Sequence, residues 1–497
     1  MKTAEIGRGR VLRVDDRARV APEGDGIGRR AARRQVEARV APGADDHQIP
    51  RAHGVGSLLE RAPGARARAR RRVVARRIDV EGSQGRGRRG SGRECDTEND
   101  DGRHAYPEEV IGPRPHQSDG LCEMLLAMPP SPEVIGAIGH LLQPVLETLE
   151  RVGWVQRHLF PPVAARLAEQ LAPGAEAVAG PLRALEKLEW PDDLQFMRER
   201  LTDVARQTVD LVNAFVDATR SPDNPIDLFR ALRRFARIQE TLYPLAPAFE
   251  PVSRWFLEPA RRDDDTLVAR LRDGALRDDD VRVGVLHASN ERDARGGFSV
   301  YVPEHSDGRS PMPLVVALHG GHGHGRDFLW SWLADARSRG VLLMAPTSRD
   351  RTWSIMGGED VDAEGLRQMV ESVADRYPVD RSRVLLTGMS DGATYALLCG
   401  LRDGMPFTHL APACGVLHPF LFAGNGLEHA AGRPIYMVHG ALDWMFPLSV
   451  AHMGRDTLQA AGARLVYREI EDLSHTYPRD ENPRILDWLT SGEAPTV

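Results

Sequence analysis

The order of apolar runs along this chain marks an α/β protein: a mostly parallel sheet of about eight strands within residues 281–497, preceded by an all-α helical region at 130–272 and a disordered, arginine-rich segment at 1–124. Three observations carry that reading. Short runs rich in Val, Ile and Leu alternate with helix-period segments through the last 217 residues, the pattern of parallel strands covered on both faces. Behind Ser131, apolar residues recur at helical spacing. Before residue 120 there are about two dozen arginines and a single aromatic residue, Tyr106, which is too little apolar surface to offset the entropy of ordering.

The arginine-rich start has three competing readings: a basic tail for nucleic acid or anionic surfaces, a solvated linker, or an upstream extension translated from DNA that is not normally coding. Interspersed acids cut its net charge to about +7, and apart from Tyr106 it has no aromatic ring to stack on a base. No specific nucleic-acid partner is therefore expected. The extension is the preferred reading, with Met1, Met124 and Met128 as alternative starts.

In the helical region, Ser131-Pro132-Glu133 supplies a cap with proline at the first helical position, and Val134, Ile138, Leu142, Val145 and Leu149 follow. Leu201, Val204, Thr208, Leu211 and Phe215 make a second stripe. Asn224-Pro225 restarts a helix carrying Leu228, Leu232, Phe235 and Leu242, with Arg230, Arg233, Arg234 and Arg237 opposite. The expectation is a bundle of four to six amphipathic helices. Its use as a lid, as a surface for a homo-oligomer or as a phospholipid-facing basic side is left open.

After a charged linker ending at Asp278-Asp279-Asp280, strands are expected at 281–287, 297–302, 314–318, 341–345, 384–387, 408–411, 435–438 and 465–470. Helices are expected near 328–337, 363–376, 393–401, 448–461 and 483–489. In such a sheet the reactive residues gather beyond the strands' C-terminal ends.

Chemistry-bearing motifs lie there. Gly388-Met389-Ser390-Asp391-Gly392 sits between an apolar run and a helical one, giving strand, tight turn and helix, which exposes a serine hydroxyl beside free N–H groups. Asp443 follows a later strand and His475 the last one, the acid-then-base order expected for this arrangement. Asp472 is the competing acid, Asp443 alone would pass as a turn former, and His475 as a helix cap. His439 is read as bracing the acid loop. His319-Gly320-Gly321-His322-Gly323-His324 follows an early strand, and its glycines suit a backbone donor, so the N–H groups of Gly321 and Asp391 are assigned to an oxyanion hole. The three histidines read as a metal cluster lack an acidic or cysteine ligand at matching spacing, and no metal is expected.

Leu318-His319-Gly320-Gly321, Gly388-Met389-Ser390-Asp391-Gly392, His439-Gly440-Ala441-Leu442-Asp443 with Phe446-Pro447, and Leu473-Ser474-His475 together resemble the α/β-hydrolase superfamily. Within it the chain looks like the phospholipase/carboxylesterase and dienelactone-hydrolase-like esterases, and it is similar to the polyhydroxyalkanoate depolymerase and feruloyl esterase branch. The resemblance covers about residues 281–489. It implies a Ser390, Asp443, His475 triad that cleaves a small or lipid-like ester or thioester without a cofactor. Serine peptidase activity and an idle, scaffold-like hydrolase domain are the alternatives. Related carboxylesterases often carry Gln or Ala where this chain has Asp391, and a carboxylate there disfavours anionic substrates.

Trp330, Trp353, Met389, Trp444 and Phe446 are the candidate substrate-contacting residues, against ordinary packing of the same side chains. Composition bounds the rest. Of 65 basic residues only Lys2 and Lys187 are lysine, which together with abundant Ala, Gly and Pro points to a GC-rich bacterial genome. Cys95, Cys122, Cys399 and Cys414 show no close pairing, so reduced thiols and a cytoplasmic setting are expected. No apolar stretch has the length of a membrane span.

Overall fold

The computed structural model describes residues 131–220, 225–277, 281–422 and 426–493. The arginine-rich segment and the alternative starts at Met1, Met124 and Met128 lie outside the described residues, as do Cys95 and Cys122.

Eight strands, β1 (Gly284–Ala288), β2 (Phe298–Val302), β3 (Met312–Leu318), β4 (Leu342–Pro346), β5 (Val379–Met389), β6 (His409–Ala413), β7 (Pro434–Gly440) and β8 (Arg464–Ile470), join in one sheet. Their order is β1-β2-β4-β3-β5-β6-β7-β8. β2 runs antiparallel to both its neighbours, and the pairings from β4 through β8 are parallel. Each of the eight apolar runs forms a strand. The largest departure is at β5, which starts at Val379 because Val379 pairs with Met312 ahead of the exposed Arg381-Ser382-Arg383.

Ahead of the sheet come α1 (Pro132–Arg157), α2 (Ala164–Leu171), α3 (Pro173–Glu186), α4 (Gln195–Thr219), α5 (Pro225–Leu232), α6 (Arg234–Leu242), α7 (Glu250–Trp255) and α8 (Asp265–Ala275). These are eight helices among the described residues where four to six were expected. Pro173, Pro225 and Pro251 each fall at the start of a new helix, where a missing N–H costs nothing, so what reads as one periodic stretch is cut into shorter pieces. Within and after the sheet lie α9 (Gly325–Phe328), α10 (Leu333–Arg339), α11 (Ala363–Ala374), α12 (Asp391–Gly400), α13 (Leu448–Ala460) and α14 (Asn482–Ser491). Among the described residues no helix is long and apolar enough to cross a membrane.

Side chains alternate across each strand, and the alternation sorts the core. Leu314, Val316, Leu318, Val384, Leu386 and Met437 face one cluster, with Leu366 and Val370 of α11 and Leu397 of α12. Val315, Ala317, Leu385, Ala411 and Val438 face the other, with Ala336 of α10 and Trp488 of α14. That second cluster continues without a break into α1 through α7: Leu149, Leu201, Phe215, Phe235 and Phe256 belong to it.

A buried polar cluster sits at this junction. The Arg337 guanidinium donates to Glu304 at 2.8 Å, to the Ser253 carbonyl at 2.7 Å and to its hydroxyl at 3.0 Å. Tyr243 and Tyr301 donate to the same carboxylate at 2.7 and 2.5 Å. Burial acts to raise the Glu304 carboxyl, but Arg337 and the two hydroxyls outweigh it and hold the group below its ordinary value. Arg337 is 2% exposed. An ion pair so placed is costly to break from one side because the remaining charge has no water. Arg337→Met is expected to lower the unfolding free energy in urea by about 3–5 kcal/mol. Adding Glu304→Gln, which still accepts from the tyrosines, restores part of it; equal midpoints for wild type and Arg337→Met would contradict this account.

Candidate active site

β5 ends at Met389 in the middle of the sheet, and α12 begins two residues later. Between them Ser390 adopts φ 55°, ψ −119°, a backbone state that costs a side-chain-bearing residue about 1–3 kcal/mol. Its surroundings leave no alternative. A Cβ on Gly388 would stand 2.6 Å from the Gly392 backbone, and one on Gly392 would stand 2.5 Å from the Leu318 and His319 carbonyls. The Ser390 N–H donates to Ala413 at the end of β6, 3.0 Å away.

Loops after β7 and β8 bring two more groups to this turn. His475 Nε2 lies 3.0 Å from Ser390 Oγ, and His475 Nδ1 lies 2.8 Å from Asp443 Oδ2. A neutral imidazole with its proton on Nδ1 donates to Asp443 and accepts from the serine hydroxyl. The other carboxylate oxygen, Oδ1, accepts from the N–H groups of Met445 at 2.9 Å and Phe446 at 2.8 Å. Burial works to raise the Asp443 carboxyl, and the hydrogen bonds from His475 and Phe446 reverse it, leaving the group below its ordinary value and ionised. His439 braces the acid loop: its Nε2 lies 2.9 Å from the Phe446 carbonyl and 3.7 Å from Asp443 Oδ2. Asp472 is half a loop away, bound to Arg157 at 3.0 Å.

The glycine-rich loop after β3 closes the opposite side. A Cβ on Gly320 would come 3.5 Å from the Ser390 Cβ, so this backbone passes directly beside the serine. Among the described residues, neither the Gly321 nor the Asp391 N–H is matched with an acceptor. His319 does not face the site. Its Nδ1 donates to the Gly320 carbonyl at 2.7 Å and its Nε2 accepts the Ser348 N–H at 3.1 Å, while Trp353 Nε1 donates to the His319 carbonyl at 2.8 Å. Both ring nitrogens are thereby used, and burial pushes the imidazole down to about 3. Among the described residues no group of three or more His, Cys, Asp or Glu is placed to hold a metal ion.

A strand, a sharp turn bearing serine and a helix at the centre of a mostly parallel sheet, with acid and histidine following in chain order, decide the architecture. The fold is that of the α/β-hydrolases. No family model matches the chain. It is 25% identical over 203 residues to the bifunctional acetylxylan esterase/xylanase of Neocallimastix patriciarum, covering 39% of this chain and 28% of that protein. It is 27% identical over 126 residues to the probable feruloyl esterase C of Aspergillus oryzae, covering 24% of this chain and 44% of that one. The chain thus matches less than half the length of either curated relative. Solved structures that overlay part of it include a thermostable esterase, with 19% identity, a TM-score of 0.34 and coverage of 39% of this chain and 58% of that one. Another is the acetyl xylan esterase from Aspergillus awamori, with 15% identity, a TM-score of 0.34 and coverage of 42% and 99%.

Of the candidate substrate-contacting residues on this α/β-hydrolase fold, two line the histidine side. The Phe446 ring meets the His475 ring edge-on at 5.3 Å, and Trp444, 44% exposed, stands 6.5 Å from it. Met389 is half-buried at the end of β5. Trp330 and Trp353 are corrections. Trp330 is 3% exposed and packs on Tyr243 and Phe256, because the aromatic residues of the helical layer fill the space above it. Trp353 is buried, stacked on Tyr395, and serves the His319 loop through its N–H. Sequence reading missed Phe229 of α5, whose ring reaches Trp444 at 6.4 Å, and Thr352, whose hydroxyl donates to Asp391 Oδ2 at 2.6 Å. Neither carries a local signal, since both contacts join distant segments.

A buried histidine held neutral makes stability depend on acid. Between the ordinary histidine value of about 6.5 and the folded value of about 3, the unfolded chain binds a proton at His319 that the folded chain does not, so stability falls as pH falls through that window. His319→Gln, which keeps the acceptor for Ser348, is expected to flatten that part of the curve of urea midpoint against pH.

Proposed function

We propose that this chain is a serine hydrolase that cleaves carboxylic esters, thioesters included, through an acyl-enzyme on Ser390. The observation that supports it most strongly is the unbroken series from Ser390 Oγ to His475 at 3.0 Å and from His475 to Asp443 at 2.8 Å. Ser390 Oγ attacks the ester carbonyl carbon while its proton passes to His475 Nε2. Asp443 stabilises the imidazolium, and the N–H groups of Gly321 and Asp391 take the oxyanion. Collapse expels the alkoxide, which takes the proton from His475. Water then repeats the sequence and releases the acid.

The leaving alcohol has to lie within reach of His475 Nε2, and so beside Phe446 and Trp444, with Phe229 behind. Exposed Leu442 and Met445 extend that side. Such a surface suits an apolar, aromatic or sugar-like alcohol. Acetylxylan and a feruloyl ester, after the names of the two relatives, belong in the substrate panel with nitrophenyl esters of increasing acyl length, a lysophospholipid and a peptide anilide.

Asp391 adds selectivity by charge. A Cβ on Gly321 would lie 2.5 Å from Asp391 Oδ2, so the carboxylate rests against the loop that carries the oxyanion donor. A second negative charge a few ångströms away costs on the order of a few kcal/mol at an effective dielectric near 20.

Ser390→Ala is expected to lose labelling by a fluorophosphonate and to lower ester turnover about a thousandfold or more, with its circular dichroism unchanged. Equal labelling of the wild type and the variant would end the proposal. Asp391→Asn keeps the backbone donor, and is expected to raise kcat/KM for a hemisuccinate ester over a neutral one about tenfold, which is about 1.4 kcal/mol. An unchanged ratio would show that the carboxylate exerts no selection.

A further inference from the structure

The segment carrying His475 is tied to the end of α1. It leaves β8 at Asp472 and enters a short helical turn at Asp480, and both carboxylates bind one guanidinium. Arg157, the last residue of α1, donates through Nε to Asp480 at 2.7 Å and through Nη2 to Asp480 at 3.2 Å and Asp472 at 3.0 Å. Thr476, next to the histidine, donates its hydroxyl to the Arg157 carbonyl at 2.9 Å. Arg479 donates to Gln156 at 2.9 Å, and His158 Nε2 lies 3.5 Å from Asp472.

These contacts bracket His475, with anchors at Asp472 before it and at Thr476, Arg479 and Asp480 after it. On the other side the segment rests on the acid loop, where the Leu442 N–H donates to Leu473 at 2.9 Å. The Arg157 side chain is 10% exposed, whereas Asp472 and Asp480 are 61% and 53% exposed. Pairs this wet add little to global stability, because water screens them. What a forked guanidinium held by a buried helix end supplies is direction, with a carboxylate from either side of the histidine fixed on one rigid group. Burial alone would lower Arg157, and the two carboxylates more than offset it.

We infer that the C-terminal end of α1 is a clamp that sets the position of His475, with Arg157 as a positioning residue that never meets substrate. The inference rests on the serine hydrolase reading above, and it gives the helical region a task in the reaction. A displacement of about 1 Å in a proton-transfer group costs on the order of a hundredfold in rate.

Kinetics of the full chain on a neutral nitrophenyl ester test this. Arg157→Met is expected to lower kcat about 10- to 100-fold with KM within about twofold, at a temperature well below its melting point. Arg157→Lys, which reaches one carboxylate and not both, recovers part of the loss. Millimolar methylguanidinium restores rate to Arg157→Ala and leaves the wild type unaffected. If Arg157→Met does not fold, the double variant Asp472→Asn/Asp480→Asn, which changes only exposed carboxylates, is expected to show the same fall in kcat. A wild type that labels with fluorophosphonate and turns over ester, beside a folded Arg157→Met or double variant of equal kcat, overturns the clamp alone. A wild type that does neither overturns the hydrolase reading and the clamp together.

Discussion

The positive φ at Ser390 is the constraint around which the other parts of the site are arranged. β5 is flanked by β3 and β6, and all three strand ends bear on the turn: β3 through the carbonyls pressed against Gly392, β6 through the Ala413 carbonyl that takes the Ser390 N–H. Cys414, the residue after β6, is itself at φ 52°, and its thiol points at the Ser474 and Thr476 carbonyls beside the histidine. One strained residue is thus over-determined by three strands, which is the condition under which such a backbone state persists. The histidine segment and the glycine-rich loop meet at this turn, His475 Nε2 3.0 Å from Ser390 Oγ and the Gly320 backbone beside the Ser390 Cβ.

The helical layer is continuous with this arrangement because one face of the sheet is incomplete without it. α10 and α14 cover part of the odd-numbered side chains of β3 and β5, and residues of α1 through α7 complete the cluster. Polar contacts then fix the angle at which the layer docks. Arg337 and Glu304 do so where water is excluded, and Glu240 of α6 does so nearer the surface, where it gathers Arg326 and Arg292. Burial acts to raise the Glu240 carboxyl and the two guanidiniums overcome it, so the group is held below its ordinary value.

How much of this was legible in the sequence follows the range of the interactions. Each strand is a short apolar run with its own turn signals, and all eight runs became strands; the exposed, polar start of β5 was invisible because its pairing with Met312 is made across the sheet. The residues singled out by motif order, Ser390, Asp443 and His475, are brought within hydrogen-bond distance, since the strand ends that carry them are fixed by topology. Aromatic residues were harder. Trp330 sits in a short 3-10 turn and Trp444 on a loop, and the packing of the helical layer encloses the first and leaves the second open. Arg157 and Asp480 are 323 residues apart, and no local pattern encodes such a pair.

Asp391 shows what the site gives up. A carboxylate in the first turn of a ten-residue helix is favoured by the helix dipole, whose N-terminal end carries roughly half a positive charge. The oxyanion forming on the substrate draws on that same end. Part of the field is therefore already answered at rest, and the Thr352 hydroxyl at 2.6 Å stabilises the carboxylate further without removing its charge. The oxyanion is left to depend on the two directed N–H donors, which act over hydrogen-bond distance, more than on the diffuse dipole. In the proposed reaction on a neutral substrate, the carboxylate meets one negative charge, that developing on the oxyanion. With an anionic acyl group the repulsion adds to the same side of the balance, so in the proposed reaction the residue next to the nucleophile acts on substrate charge while leaving the order of proton transfers as it is.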